Sequence, residues 1–302
     1  MEEPLLHGIA QTDRDRAEAL LRPGNTNCGG CGMSVGLQML SRAAANVPIQ
    51  MVIPACCAIV TAGPFPYSAY GAPVVATTFA SAAAVATGLA QVAAMNGEPT
   101  RVICWAGDGG TYDIGLATVS ATAERGEDVL YICYDNEIYG NTGGQRSGAT
   151  PLGAVTTTTP LGKVVHKKDI LGIMAAHRVP YAATLSLGHP DDALRKLKHA
   201  LTLKGFRFLH ILAPCPTGWK SEPADGIDLV RSAVRAGLYP VYEVFDGDRV
   251  VVNVEPEQSD EALADWLTRQ GRFKEDRVDM VAIREQIDRT WRSLRRLEAP
   301  SA

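Results

Sequence analysis

The chain of 302 residues is 46% hydrophobic, 21% charged and 6% aromatic, with a formal net charge of -4. Those values exclude a disordered polymer, a collagen-like repeat and a small disulfide-stapled scaffold, and allow one large core or two smaller ones. A pI of 5.9 argues against a nucleic-acid binder that draws its affinity from phosphate neutralisation.

Residues 1–16 are polar and mixed in charge, without the apolar core of a secretory signal. A cytoplasmic protein is therefore expected, in which seven Cys read as metal ligands, reactive thiols or small buried side chains. Taken in chain order, helical periodicity predicts a helix over 33–45, followed by strands over 49–53 and 74–77 and a helix over 79–95. A strand over 101–106, a helix over 112–125 and a strand over 129–134 come next. The series closes with a helix over 170–177, a strand over 179–185, a helix over 190–203 and a strand over 206–213.

Apolar strands alternating with helices predict an α/β fold, a mostly parallel sheet covered by helices on both faces. Ligands in such sheets sit at the carboxyl ends of the strands. After residue 213 the pattern changes: runs over 239–245 and 249–254 flank Asp246-Gly247, a hairpin with a tight turn. The last 30 residues are strongly charged, with Met280, Ile283, Ile287, Trp291 and Leu294 at helical spacing, an amphipathic tail docked on this chain or a partner. With no internal repeat or low-complexity linker, we expect one elaborated domain over 1–255 and a C-terminal helical extension over 256–302.

Residues 43–97 contain no charged side chain over 55 positions. A membrane span needs about 20 continuous apolar residues, and prolines, Asn46, Gln50 and Gln91 interrupt every candidate. An uncharged helix built from Ala suits close packing against other polypeptide surface instead.

Two constellations carry chemistry. In the first, Gly107-Asp108-Gly109-Gly110 stands directly after a predicted strand and before a helix. Glycines there let the backbone approach a diphosphate, the helix start offers unpaired N–H groups, and an aspartate can hold the bridging divalent cation. The end of the next strand reads Asp135-Asn136-Glu137-Ile138-Tyr139-Gly140-Asn141, with Asn136 twenty-eight positions beyond Asp108. An Asn-containing, Gly-rich loop at that place puts a neutral oxygen near the first loop's carboxylate. The pair resembles the thiamine diphosphate motif of thiamine-dependent enzymes. That resemblance implies Mg²⁺ held by Asp108, the Asn136 side chain and the Ile138 carbonyl, with Gly107, Gly109, Gly110, Tyr139 and Gly140 around the cofactor.

The second constellation is sulfur. Cys28-Gly-Gly-Cys31 offers two thiolates on one turn, with further cysteines at 56, 57 and 215. Four thiolates gathered from such positions fit either structural zinc or an iron-sulfur cluster. Cys104 and Cys133 lie inside predicted strands and read as core.

The order CGGCG, ACC, PFPYSAY, GDGG, DNEIYGNTGGQRS, APCPTGW resembles the β subunit of 2-oxoacid:ferredoxin oxidoreductases over about residues 22–255, and the pyruvate branch most closely. The resemblance implies thiamine diphosphate, Mg²⁺ and a 4Fe-4S cluster on Cys28, Cys31, Cys57 and Cys215, with Cys57 preferred to Cys56. It implies Asn141 near the substrate, and oxidative decarboxylation of a 2-oxoacid to an acyl-CoA and CO₂ with electrons passed to ferredoxin. Partners would be α, γ and ferredoxin-like δ subunits; no nucleic acid and no membrane span are expected. Pyruvate is the default substrate, with phenylglyoxylate, a branched-chain 2-oxoacid or oxalate as alternatives.

One position departs from the family. Met33 stands where the pyruvate branch often carries a glutamate close to the cofactor. Rival readings are a thiamine enzyme without iron-sulfur, which leaves four cysteines unexplained, and a zinc-stabilised binding module, which ignores both phosphate-type loops. His7, His166, His177, His189, His199 and His210 show no metal spacing, and Lys163, Lys167 and Lys168 with His166 read as a solvated basic face or a coenzyme A or partner contact.

Overall fold

The computed structural model describes residues 19–45, 47–63 and 67–298. His7 and Pro64, Phe65 and Pro66 of the PFPYSAY segment lie outside the described residues. The strands are β1 (Ile49–Pro54), β2 (Val74–Thr77), β3 (Arg101–Gly107), β4 (Val129–Asp135), β5 (Tyr181–Ser186), β6 (Arg207–Leu212), β7 (Val241–Phe245) and β8 (Arg249–Val254). The main helices are α1 (Gly32–Ala43), α2 (Cys57–Val60), α3 (Ala82–Met95), α4 (Leu116–Glu124), α5 (Ile170–Ala176), α6 (Pro190–Thr202), α7 (Pro216–Trp219), α8 (Gly226–Arg235), α9 (Asp260–Thr268) and α10 (Met280–Leu297).

All eight strands join one sheet in the order β2-β1-β3-β4-β6-β5-β7-β8. The first six are parallel to one another, while β7 runs antiparallel to β5 and β8 to β7. The expected hairpin is therefore an extension of the main sheet. Its turn uses Asp246 and Gly247 at φ 53° and 82°, the left-handed pair that matches the twist of adjoining strands.

Side chains alternate across the sheet with period two, and both faces are apolar. Ile103 and Trp105 face one way with Ile132, Tyr134, Leu209 and Ile211, under Leu37 and Leu40 of α1 and Leu197 of α6. Val102, Cys104 and Ala106 face the other way with Tyr131, Cys133 and Phe208, under α3, α4 and α5. Cys104 and Cys133 are fully buried, as the strand pattern predicts. A third cluster gathers Trp219, Leu229, Tyr239 and Val241 with Leu263 and Trp266 of α9 and Ile283, Ile287 and Trp291 of α10. The charged tail thus docks its apolar stripe on this chain, with Trp291 donating to the Gly237 carbonyl at 2.9 Å.

Several boundaries differ from the sequence expectation. The helix predicted over 112–125 begins as a π-helical turn at Gly109–Asp113, before α4, because the glycine-rich loop itself coils. The strand predicted from 179 begins at Tyr181, after Pro180, which has no N–H to give a ladder. Among the described residues, α3 buries Ala82, Ala83, Ala86, Ala90 and Ala93 and leaves Val92 and Met95 exposed, so within this chain it is packed on one side. No described helix is long and apolar enough to cross a membrane.

Glu243 ties the antiparallel extension to the parallel sheet. It accepts from Tyr181 at 2.7 Å, Arg195 at 2.7 Å and Asn253 at 2.7 Å. Burial pushes its carboxyl up, but the bonds from Arg195, Tyr181 and Asn253 outweigh it and bring it down to about 2. A carboxylate held below its unfolded value contributes stability that is complete above about pH 4.5 and is lost as pH falls towards 2. Urea unfolding of Glu243→Gln is expected to show a loss of about 1–2 kcal/mol near neutrality, allowing for the half-exposed Arg195, and a shallower acid limb between pH 4.5 and 2.

Candidate functional site

The register of the sheet places the motif loops together. Val52 pairs with Cys104, Gly107 with Tyr134, and Asp135 with Leu212. The neighbouring strands β1, β3, β4 and β6 therefore release their chains at one edge, carrying Cys57, Asp108, Asn136 and Cys215 respectively. The remaining pair, Cys28 and Cys31, joins through the start of α1, where the Gly32 N–H donates to the Pro214 carbonyl at 2.9 Å. A Cβ at Gly32 would lie 2.3 Å from the Pro214 ring, so this approach requires glycine.

Asp108 is buried and accepts from the Ser147 hydroxyl at 2.5 Å. Burial and the neighbouring Asp135 push its carboxyl well above the ordinary range, against the Ser147 bond. Asp135 goes the other way: burial raises it, but the His210 hydrogen bond and the charges of Lys167 and His210 bring it down. Its partners are His210 at 2.9 Å and Tyr112 at 3.1 Å. Asn136 is buried, with its Oδ1 accepting from the Ile138 N–H at 3.3 Å and its carbonyl accepting from the Trp219 indole at 2.9 Å. Between them Glu137 takes a left-handed φ of 63°.

The rest of the loop is more open. Tyr139 donates to Asp113 at 2.6 Å, its phenol pushed up by burial and by that carboxylate, and its ring meets Phe79 edge-on at 5.9 Å. Gly140 is half-buried and Asn141 exposed.

The sulfur atoms approach the same edge. Cys31, Cys57 and Cys215 are half-buried and Cys28 is exposed. Burial pushes the Cys57 thiol up to about 12, with further upward pressure from Cys215, Cys56, Cys31 and Cys28, so these thiols lie in one another's field. Cys215 is raised by burial, lowered by the Gly218 N–H at 3.3 Å, and raised by Cys31 and Cys28. Cys56 instead donates to the Pro54 carbonyl at 2.9 Å. Among the described residues no three His, Cys, Asp or Glu side chains are closed into a metal-binding group.

The profile described as "Thiamine pyrophosphate enzyme, C-terminal TPP binding domain" matches residues 56–211, spanning the two phosphate-type loops. A "Ketoisovalerate oxidoreductase subunit VorB" of Pyrococcus horikoshii is 42% identical over 286 residues, 91% of this chain and 92% of that protein. A "Pyruvate synthase subunit PorB" of Methanothermobacter marburgensis is 39% identical over 285 residues, 92% of this chain and 98% of that protein. This chain belongs to the β subunits of thiamine-dependent 2-oxoacid:ferredoxin oxidoreductases. The fold agrees: a solved 2-oxoglutarate:ferredoxin oxidoreductase from Magnetococcus marinus superposes at a TM-score of 0.62, with 21% identity over 89% of this chain and 95% of that one.

The β subunit also uses residues that the motifs do not reveal. The expected solvated basic face is only partly so: His166 and Lys168 are exposed, while Lys163 and Lys167 turn inward. Lys163 is buried with its ammonium on the carbonyls of Thr150 and Gly148, and burial brings it down to about 8. Lys167 pairs with Glu137 at 3.2 Å and Lys168 with Asp113 at 3.1 Å. His210, set aside for want of metal spacing, braces Asp135. Only its place in a strand beside β4 reveals that role, and strand order is not written in local periodicity.

A Cβ on Gly109 would lie 1.8 Å from Cε1 of Tyr139 and 2.9 Å from the Phe79 ring, and the Tyr139 ring is pinned at both ends. Gly109→Ala is expected to lower stability to urea by about 1–3 kcal/mol. Adding Tyr139→Leu should recover part of that loss; an additive further loss would show that the clash is not the cause.

Proposed function

We propose that this β subunit holds thiamine diphosphate through Mg²⁺ and a 4Fe-4S cluster, and oxidatively decarboxylates a 2-oxoacid to its acyl-CoA within a larger complex. The observation that carries the reading is the common edge of β1, β3, β4 and β6, which collects a buried carboxylate, an amide, a free backbone loop and thiols from four sequence-distant places.

The donor set fits these groups. Asp108 and Asp135 are buried side by side, and such a pair is short of positive charge that a divalent ion would supply. Asp108, the Asn136 amide and the Ile138 carbonyl form the hard oxygen set Mg²⁺ prefers, and the backbone at Gly109 and Gly110 begins a helical turn where phosphate oxygens find N–H donors. Soft thiolates of Cys28, Cys31, Cys57 and Cys215 suit iron-sulfur ligation. Cys57 is favoured over Cys56, whose thiol is engaged by the Pro54 carbonyl. When bound, thiamine supplies the nucleophile and electron sink for decarboxylation.

This chain's own residues orient and enclose. Ser147 steadies Asp108, Trp219 fixes the Asn136 backbone, and Tyr139 holds the loop against Asp113. Exposed Asn141 would meet the substrate from the open side. We assign residues 1–255 to the cofactor-binding unit and 256–302 to a C-terminal extension whose described helices pack on that unit.

By the family resemblance the base for the cofactor's aminopyrimidine comes from a partner subunit, and the exposed, uncharged side of α3 is assigned to subunit contact. We place the complex in the cytoplasm, with ferredoxin as acceptor. Pyruvate is the first substrate. A branched-chain 2-oxoacid is the second reading, favoured by the relative named for ketoisovalerate; Met33 is buried in the core and does not bear on the choice.

The purified complex is expected to be brown with broad visible absorption, to lose that colour in Cys57→Ser and to keep it in Cys56→Ser. A dye-reduction panel of pyruvate, 2-oxoisovalerate, phenylglyoxylate and oxalate identifies the substrate. Turnover at the full rate by this chain alone would overturn the multi-subunit reading.

A further inference from the structure

Behind the two motif loops lies a buried cation that neither motif contains. Arg272 follows α9 and is 1% exposed. Its guanidinium pairs with Glu137 at 2.6 Å and lies over the Trp219 ring at 4.5 Å, with Phe273 at 5.2 Å and Trp266 at 5.4 Å. Gln270 accepts its Nε at 2.9 Å, while one terminal nitrogen has no hydrogen-bond partner among the described residues.

Both groups it touches belong to the site. Glu137 stands between Asn136 and Ile138. Trp219 ends the turn that begins at Cys215, its N–H donating to the Cys215 carbonyl at 2.7 Å and its indole to the Asn136 carbonyl at 2.9 Å. The backbone repeats the link, since the Arg272 N–H reaches the Trp219 carbonyl at 3.3 Å and its own carbonyl accepts from Val155 at 2.8 Å.

We propose that Arg272 is a positioning residue that joins the Asn136–Ile138 loop to the Cys215 turn and sets the positive field between them. A left-handed backbone is disfavoured at a residue with a Cβ. Glu137 keeps it because its carboxylate is captured by Arg272 from one side and Lys167 from the other. A cation stacked on aromatic faces and paired with a buried carboxylate is worth more than the same pair in water. Its guanidinium lies over Trp219, the residue whose N–H closes the turn on the Cys215 carbonyl, so its charge stands beside the sulfur-bearing turn. An electron added nearby is stabilised by that charge, and the potential of an iron-sulfur cluster follows local charge and hydrogen bonding. One side chain thus serves the oxygen ligands by geometry and the sulfur ligands by field.

This inference rests on the proposed function, and the experiment separates the two. The complete complex is prepared with wild-type, Arg272→Gln, Arg272→Lys and Glu137→Gln β subunits, and two quantities other than turnover are read. They are the cluster midpoint potential by redox titration with EPR detection, and thiamine diphosphate affinity at saturating Mg²⁺ by calorimetry.

Arg272→Gln is expected to lower the potential by about 59 mV, a tenfold shift for a one-electron couple, and to weaken cofactor affinity about tenfold, in the range for lost outer-shell support. Arg272→Lys should restore the potential but not the full affinity, because it keeps the charge and loses the flat fork. Glu137→Gln should shift the potential upward. Opposite signs for the two neutralising variants are what a merely structural role would not produce. Should Arg272→Gln fail to assemble, the lysine and Glu137 variants still decide: an unchanged or lowered potential in Glu137→Gln, or a potential in Arg272→Lys that falls well below the wild-type value, overturns the inference. A colourless wild-type complex overturns the proposed function itself.

Discussion

Four neighbouring parallel strands that end at one edge are the constraint on which the site depends. Parallel neighbours cannot be joined by tight turns; each return needs a crossover, usually helical. The residues delivered to the edge are therefore remote in sequence by construction. Cys57, Asp108, Asn136 and Cys215 come from successive positions across the sheet order β1-β3-β4-β6, and the Gly32 to Pro214 bond brings Cys28 and Cys31 to the same place. Loosening the register of any one of these strands would move a ligand. The sheet guards against that by being apolar on both faces, so that a slip of one residue would exchange Trp105 and Tyr134 with the contents of the opposite core.

The edge concentrates charge, and its two sides are treated differently. Behind the loops nearly every ionised group has a partner: Asp135 with His210 and Tyr112, Glu137 with Lys167 and Arg272, Asp113 with Lys168, Tyr139 and the Gly148 N–H. On the side facing the loops, Asp108 is buried beside a second carboxylate with a serine hydroxyl as its bond, and thiols raise one another. Buried charge left uncompensated is costly. The compensated half rigidifies the scaffold and the under-compensated half is complementary to cations, which supports the proposed Mg²⁺ and cluster sites.

Much of this was legible before any coordinates. β-rich runs located the six parallel strands to within a residue or two, since a strand covered on both faces is a short apolar run whatever its neighbours are. The glycine and asparagine loops were legible because close backbone approach restricts which residues can stand there. What local pattern could not supply is order across the sheet, and with it the pairing of His210 with Asp135. Nor could it show that Lys163 and Lys167 turn inward, because a lysine run looks the same whether its stems lie on the surface or reach buried carbonyls. Helix α8 fell in a stretch where no periodicity was assigned, and α7 is a single turn whose reason is Cys215 and Trp219, not a repeat. Arg272 was the least legible of all. It follows an amphipathic helix near the end of the chain, 135 positions from the glutamate it holds.

That distance also bears on what the C-terminal segment is for. Were α9 and α10 only a cap on the sheet, their contacts would be the apolar ones of Leu263, Trp266, Ile283 and Trp291, and any docked helix would serve. Instead the loop leaving α9 lays a cation over the Trp219 ring, with Trp266 and Phe273 nearby, to reach the carboxylate of Glu137, the residue that separates Asn136 from Ile138. Ordering a long side chain in such a place costs up to about 2 kcal/mol of rotamer freedom, and leaving one of its nitrogens without a bond adds to that cost. A fold that needed only burial would have placed a leucine there. The arginine is retained where its planar charge touches both the oxygen-bearing loop and the sulfur-bearing turn, so a residue outside both motifs completes the bracing of the loops that carry them.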